Sequence, residues 1–490
     1  MIFPFILKMV ENMQEKVLNQ LEQEFINSTD FIVKKITTKK FKDIYVIYLE
    51  SVTGSDKVND YILKKLTSIN NLKSVQYKDI ESIIPGPNTI KIENKDTIEF
   101  YLTNGFTIVL TTKEILAFET KADINRSVSV PEIQKTVYGP KDAFTENIQI
   151  NLGLLKRRIK SSHLKSSDLN MGRKTNTKVE ILYFDDITDM DMVDSIKKQL
   201  ERIDVDGIID SGVVANILME DEKTPFPTIS SSERPDVVAS ALLEGKVCIM
   251  VDTSPFVLIL PAFFADFINP VADNYNRSVN VNFLKILRFT SFFLTMMIPG
   301  IYIALINYNM ETIPTTLLVN FASQNDGVPI PTFIEAIVMI LVCEILRESD
   351  LRFPSNYGSA ISILGALVMG EAAVSAGIVS PIMIIVIAFT FITSLIFTEQ
   401  ELINAIRYFR FVFLLGAALY GLYGIVIALI YFLIHITSIK SLNKPYFFPI
   451  IPFDTTYLKK TLLKAKFKND KKRSQTLVPN NLVRERIKKS

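Results

Sequence analysis

The residues of this chain best suited to chemistry are carboxylates set in otherwise apolar sequence. Glu371 lies in YGSAISILGALVMGEAAVSAGIVSP, Tyr357 to Pro381, a run of apolar and small residues. Read as a helix over Tyr357 to Val379, the run is about 34 Å long, enough to cross a bilayer. An ionised carboxylate at that depth costs on the order of a few kcal/mol unless it meets water or a partner. Helical spacing places Ala360, Leu364, Leu367, Glu371 and Val374 on one face, and Gly358, Ser362, Gly365, Ala366, Ala373 and Gly377 on the other. The small-residue face suits close helix packing. The other is a candidate pore lining, narrowed by Leu364 and Leu367 and made cation-preferring by Glu371. The alternative is a carboxylate held neutral, or hydrogen-bonded to a neighbouring helix. Glu344 and Arg347, three residues apart, are expected to form an interfacial ion pair. Glu335, one turn inside Pro331, is expected to reach interfacial water.

Little else offers reactive chemistry. The two histidines, His163 and His435, and the two cysteines, Cys248 and Cys343, have no metal-ligand or disulfide spacing. There is no glycine-rich phosphate loop and no nucleophile–base pair. The reading is no metal site, no cofactor and no enzyme.

The elements that position these residues fall into two halves. In the polar half, FKDIYVIYLES from Phe41 reads as a strand, and Asp56 to Ile69 as a helix with Val58, Ile62, Leu63, Leu66 and Ile69 on one face. IEFYLTNGFTIVLT, Ile98 to Thr111, reads as a hairpin turning at Thr-Asn-Gly. VEILYFDDIT, Val179 to Thr188, followed by an amphipathic helix over Asp189 to Ile203, repeats the strand–helix pattern and hints at two α/β subdomains of similar build. Between them, Asp142 is expected to cap a helix bearing Ile148, Leu152, Leu155 and Ile159. Its basic end, Lys156 to Lys160, is either solvated or a lipid or subunit contact. Val247 to Phe267, broken by Asp252, Pro255 and Pro261, reads as a strand leading into an interfacial or re-entrant segment. The N-terminus has only a seven-residue apolar start and reads as no signal peptide, which leaves the polar half cytoplasmic.

The apolar half has no lysine between Lys285 and Lys440. Five stretches read as spans: Leu284–Asn307, Pro331–Ile345, Tyr357–Val379, Pro381–Phe397 and Phe409–Ile436. Positive-inside counting puts Lys285/Arg288, Arg347/Arg352, Arg407/Arg410 and the tail in the cytoplasm, and 307–331 outside. Residues 455–490 carry twelve Lys or Arg against Asp470 and Glu485. Five crossings strand that tail on the wrong side, so one stretch must not span or Val247–Phe267 must cross. The expected fold class is an α/β cytoplasmic region of two subdomains, 1–135 and 136–245, followed by an α-helical transmembrane domain, 246–437, and a basic tail, 438–490. The tail is read as binding anionic lipid or partner proteins, or as a disordered topogenic segment, and not as binding nucleic acid.

From Val137 to Pro452 the chain resembles the A subunit of GerA-type spore germinant receptors. The resemblance rests on GPKDAFTENIQINLGLLKRRIK, SERPDVVASALLEGKVCIMVDTSPFVLILPAFF, IPTTLL, VPIPTFIEAIVMILVCEILRE, GSAISILGALVMGEAAVSAGIVSP and the late Arg-Tyr-Phe-Arg-Phe. It implies a multi-pass protein of the spore inner membrane that works with B and C subunits. It also implies assembly as a homo-oligomer, a pentamer, into a nutrient-gated cation channel, with the soluble part a pair of α/β subdomains. The alternatives are the paralogous A-like channel protein of the dipicolinic-acid channel operon, and a scaffold that does not conduct.

Overall fold

Alternation along one strand sets the layering of the N-terminal region. In Ile44–Leu49, Ile44, Val46 and Tyr48 face one side of the sheet, while Ile47 and Leu49 face the other. Successive side chains of a strand point to opposite faces, so a strand apolar at both must be covered twice. In the computed structural model, which describes residues 3–37, 44–68, 89–111, 114–122, 138–219, 223–325, 327–352, 368–454 and isolated positions at 131–136 and 458–483, both covers are present. Val17, Leu18 and Leu21 of helix Phe3–Glu24 join Ile98 and Leu102 on one face. Val58, Ile62 and Leu66, in the helical stretch from Ser55 to Ser68, cover the other.

Ten strands form two five-stranded sheets, antiparallel throughout. The first contains β1 (Phe31–Ile36), β2 (Ile44–Leu49), β3 (Thr89–Lys91), β4 (Phe106–Leu110) and β5 (Ile115–Glu119), in the order β1-β2-β4-β5-β3. The second contains β6 (Leu164–Met171), β7 (Thr177–Phe184), β8 (Ser230–Ser232), β9 (Val247–Val251) and β10 (Val257–Leu260), in the order β6-β7-β9-β10-β8. The two orders are the same. The two strand motifs read as equivalent in the sequence, β2 and β7, hold the same second place in their sheets.

The expected hairpin at Ile98–Thr111 is not formed. Its first half is a helix, Ile98–Thr103, which buries Ile98 and Leu102 four residues apart. Gly105, at φ +82°, ends that helix, and a Cβ there would lie 2.8 Å from the Val52 carbonyl oxygen. Thr-Asn-Gly suits a helix end as well as a strand turn, and the spacing of Ile98 and Leu102 decides between them. The helix Ile148–Arg158 is capped by Asn147, which accepts from the Gln149 and Ile150 amides, and not by Asp142. Asp142 instead pairs with Arg158 at the opposite end.

The chain divides into two compact units. One comprises 1–222, 229–261 and 467–490, and the other 223–228 and 262–466. Val247–Leu260 is therefore neither interfacial nor re-entrant. It supplies two fully buried strands of the second sheet, so the boundary expected at 246 falls inside that sheet. Part of the basic tail belongs here too. Val478 is buried beside Gly245, and Arg473 donates to the Leu243 carbonyl.

The second unit is helical: α1 (Ser278–Asn307), α2 (Thr315–Asn325), α3 (Thr332–Arg352), α4 (Pro381–Ser394) and α5 (Gln400–Ser438), with a further helix at 368–375 before α4. α1 packs along α5 through Phe292, Phe409 and Phe432. Among the described residues, α1 and α5 are long and apolar enough to cross a membrane, by length and composition, which points to membrane association. α5 is not one rod. Gly421, at φ +58° and ψ −136°, breaks it, and the legs fold back so that the rings of Phe409 and Phe432 lie 5.1 Å apart. The crossing admits only glycine, since a Cβ on Gly424 would sit 1.8 Å from the Gly416 carbonyl oxygen. Carbonyls freed at the end of the first leg are met by Tyr308, whose hydroxyl donates to Ala418 at 2.5 Å. The expected fifth span, Phe409–Ile436, is thus two antiparallel legs.

Candidate functional site

The described end of the expected pore helix separates its two faces. Ala373 packs against a core containing Ile303, Ile340 and Met383, whereas Glu371 is exposed and Val374 half-buried. Ala360, Leu364, Leu367, Gly358, Ser362, Gly365 and Ala366 lie outside the described residues. Gly377, at φ +66°, ends the helix in a Schellman turn, with Ile378 N–H donating to Ala373 and Gly377 N–H to Val374. Glu371 accordingly sits about one turn from the C-terminal end of that helix.

Glu335 is buried, not open to interfacial water. It is 2% exposed on α3, and its Oε1 accepts from the Ser380 amide at 2.5 Å and the Ser380 hydroxyl at 2.7 Å. Ser380 is the N-cap of α4, with Pro381 at the first helical position, so the carboxylate meets the positive end of that helix. Tyr302 of α1 neighbours Ser380, Asn325 and Glu335.

Glu344 and Arg347 lie 3.3 Å apart, within a larger cluster than their spacing implies. Glu344 Oε2 is also 2.8 Å from Arg407, and Oε1 is 3.3 Å from Arg410. Arg410, 3% exposed, donates from Nε to the Thr295 carbonyl, and Arg347 donates to Ser394. Four helices are fastened around one carboxylate. The late Arg-Tyr-Phe-Arg-Phe motif serves this cluster, a role that only long-range contact reveals.

In the first unit, polar chemistry gathers between the two sheets. Lys156 is buried, neither solvated nor a lipid contact, and pairs with Asp30, which also accepts from Ser28 and Ser51. Burial alone would raise the Asp30 pKa. Lys156 and the two hydroxyls reverse this and hold it below the usual carboxylate value. Nearby Glu180, fully buried and 2.7 Å from Lys178, goes the other way, with burial pushing its pKa up. The SERPD motif is also a fastening. Arg234 clasps Asp236 through Nε at 3.0 Å and Nη2 at 2.7 Å, and donates to the Gln134 carbonyl. His163, Asp185 and Asp186 form an exposed group in which His163 Nδ1 engages Asp185 at 2.8 Å.

These arrangements stand beside clear relationships to known proteins. The family model described as Bacillus/Clostridium GerA spore germination protein matches residues 19–476. The chain belongs to the GerA family. It is 35% identical over 477 residues to spore germination protein KA of Bacillus subtilis, covering 96% of this chain and 88% of that protein. To spore germination protein GerLA of Bacillus cereus it is 31% identical, covering 91% and 92%. The crystal structure of the N-terminal domain of the A subunit of the Bacillus megaterium spore germinant receptor GerK3 is 30% identical, covers 50% of this chain and 94% of that one, and gives a TM-score of 0.39. GerA-family membership and the architecture of two α/β sheets followed by a helical unit agree with the reading from sequence.

Proposed function

We propose that this GerA-family chain is the A subunit of a nutrient germinant receptor. In this reading it assembles with B and C subunits in the spore inner membrane, and a pentamer of A subunits forms a nutrient-gated cation channel. The observation that carries the reading is the family match, which runs through both units without interruption. The segment over 357–379 is the pore candidate, with Ala360, Leu364, Leu367, Glu371 and Val374 proposed as its lining. Nutrient binding on a partner then shifts a closed–open equilibrium by its differential affinity for the two states.

The fold of α5 supports an orientation with both termini in the spore core. A chain that turns back at Gly421 makes six crossings in place of five. Arg407, Arg410 and the basic tail then share one side with Lys285 and Arg288, as the positive-inside rule requires. The legs, 400–420 and 422–438, are about 31 Å and 26 Å long at 1.5 Å per residue. The basic tail contacts anionic headgroups in this arrangement.

Potassium release from spores carrying Leu364→Ala, Leu367→Ala or Glu371→Gln tests the pore. The reading expects leakage without nutrient from the leucine variants and blocked release, at normal abundance, from the glutamate variant. Release like the wild type from all three removes this helix from the ion path.

A further inference from the structure

The cluster around Glu344 holds more positive charge than its one carboxylate can balance. Arg347, Arg407 and Arg410 engage Glu344 at 3.3, 2.8 and 3.3 Å, and among the described residues none of the three pairs with another acid. Three guanidiniums against one carboxylate leave a surplus of two charges. A guanidinium keeps its proton at any ordinary pH, so titration cannot remove that surplus. Neutral groups take up only part of the donor capacity. Arg347 donates to the Ser394 hydroxyl at 2.6 Å and lies 4.9 Å over the Phe391 ring, and Arg410 donates from Nε to the Thr295 carbonyl at 3.2 Å. Two donors are left over. Arg410 Nη2 and Arg407 Nε are buried without a hydrogen-bond partner, and Arg410 as a whole is 3% exposed. A buried charge that is not fully met by partners is costly in a protein core, and more so within a membrane.

We infer that Arg347, Arg407 and Arg410 form a binding site for a phosphate group, either free phosphate or the headgroup of an anionic lipid. Guanidinium forks match the oxygens of phosphate, and a tetrahedral group can accept from donors on different helices where a planar carboxylate meets a single fork. The donors do come from two helices, Arg347 from α3 and Arg407 and Arg410 from α5. The way in is at Arg407. Its side chain is 34% exposed, against 10% for Arg347 and 3% for Arg410. Arg407 therefore makes the outer contact, while the two buried guanidiniums attract from behind it through surroundings of low dielectric. Arg407 and Arg410, three residues apart, share one face of α5. Glu344 is the built-in competitor for the same guanidiniums. This site is separate from the 357–379 segment and stands whether or not that segment conducts.

The test uses the purified full-length protein in a non-ionic detergent. Two probes are offered: radioactive inorganic phosphate by equilibrium dialysis in sodium chloride, and radioactive phosphatidylglycerol, with phosphatidylcholine as the control, on the immobilised protein. The expected result is saturable binding of at least one probe. Inorganic phosphate bound in the absence of lipid identifies a free anion as the ligand. Phosphatidylglycerol retained over phosphatidylcholine, and not displaced by phosphate, identifies a headgroup. Arg407→Gln is expected to weaken binding about tenfold, and Glu344→Gln, which removes the competing carboxylate, to strengthen it about tenfold. The opposite signs separate a ligand contact from a purely structural role, in which both variants loosen the cluster alike. No saturable binding of either probe by the wild-type protein overturns the inference and leaves water at Arg407 as the compensation. Binding unchanged in Arg407→Gln overturns it equally, and that variant, at the exposed position, decides the matter if Glu344→Gln fails to fold.

Discussion

Asp30 and Glu335 are equally inaccessible, at 1% and 2% exposure, yet their surroundings differ in kind. Asp30 receives a lysine from 126 residues away together with two hydroxyls, and its charge is compensated inside the fold. Glu335 receives the amide and the hydroxyl of one serine at the start of α4, and no basic side chain among the described residues. The first arrangement closes a structural joint between two sheets with a full counter-charge. The second meets only the positive end of a helix. Burial of a carboxylate therefore says little by itself; what differs is the kind of group that compensates it.

Removing a partner breaks the comparison most severely at the closed joint. Asp30→Ala leaves Lys156 buried and unpaired, and is expected to cost about 3–5 kcal/mol, read as a fall in the unfolding midpoint of the full-length protein. Replacing both residues, Asp30→Leu with Lys156→Met, is expected to recover most of that loss, because no charge is then left buried. Glu335→Gln strands no cation within the chain. It is expected to cost about 1 kcal/mol or less, well under the Asp30→Ala value. An equal loss at the two sites would erase the distinction.

Acid titration sharpens the same point inside the first unit. Asp30 has a lowered folded pKa, so its stabilisation is complete above the ordinary value of 3.8 and is lost as pH falls through the lower folded value. Glu180 has a raised folded pKa, so the native state holds its proton longer than the unfolded chain. Stability therefore falls as pH rises from 4.5 through that raised value. Melting curves from about pH 2 to 7 are expected to lose the acid-side decline in Asp30→Asn and the rise-side penalty in Glu180→Gln. A decline of the same size in Asp30→Asn as in the wild type would remove Asp30 from the acid response.

Much of the fold was legible because it rests on local periodicity. The strand at Ile44–Leu49 and the amphipathic helix with Met192, Val193, Ile196 and Leu200 on its buried face are fixed by neighbours within a few residues. Val247–Phe267 was half legible: its opening strand is β9, but the run from Val257 is a second buried strand and not a membrane segment, since a short apolar run suits both and only sheet pairing separates them. The sites were partly legible. The (i, i+3) spacing of Glu344 and Arg347 is visible in sequence, but Arg407 and Arg410 arrive from another helix, and no spacing announces them.

By itself the sequence determined the division into a polar α/β half and an apolar helical half and the places of β2, β7 and the long apolar helices, which follow from composition and from periods of two and 3.6 residues. The family resemblance is carried by long motif blocks such as SERPDVVASALLEGK, not by periodicity. Tertiary structure alone decided that α5 turns back at Gly421, that Lys156 lies buried against Asp30, and that Ser380 meets Glu335. Those are contacts between residues far apart in the chain, and a pattern confined to neighbours carries no information about them.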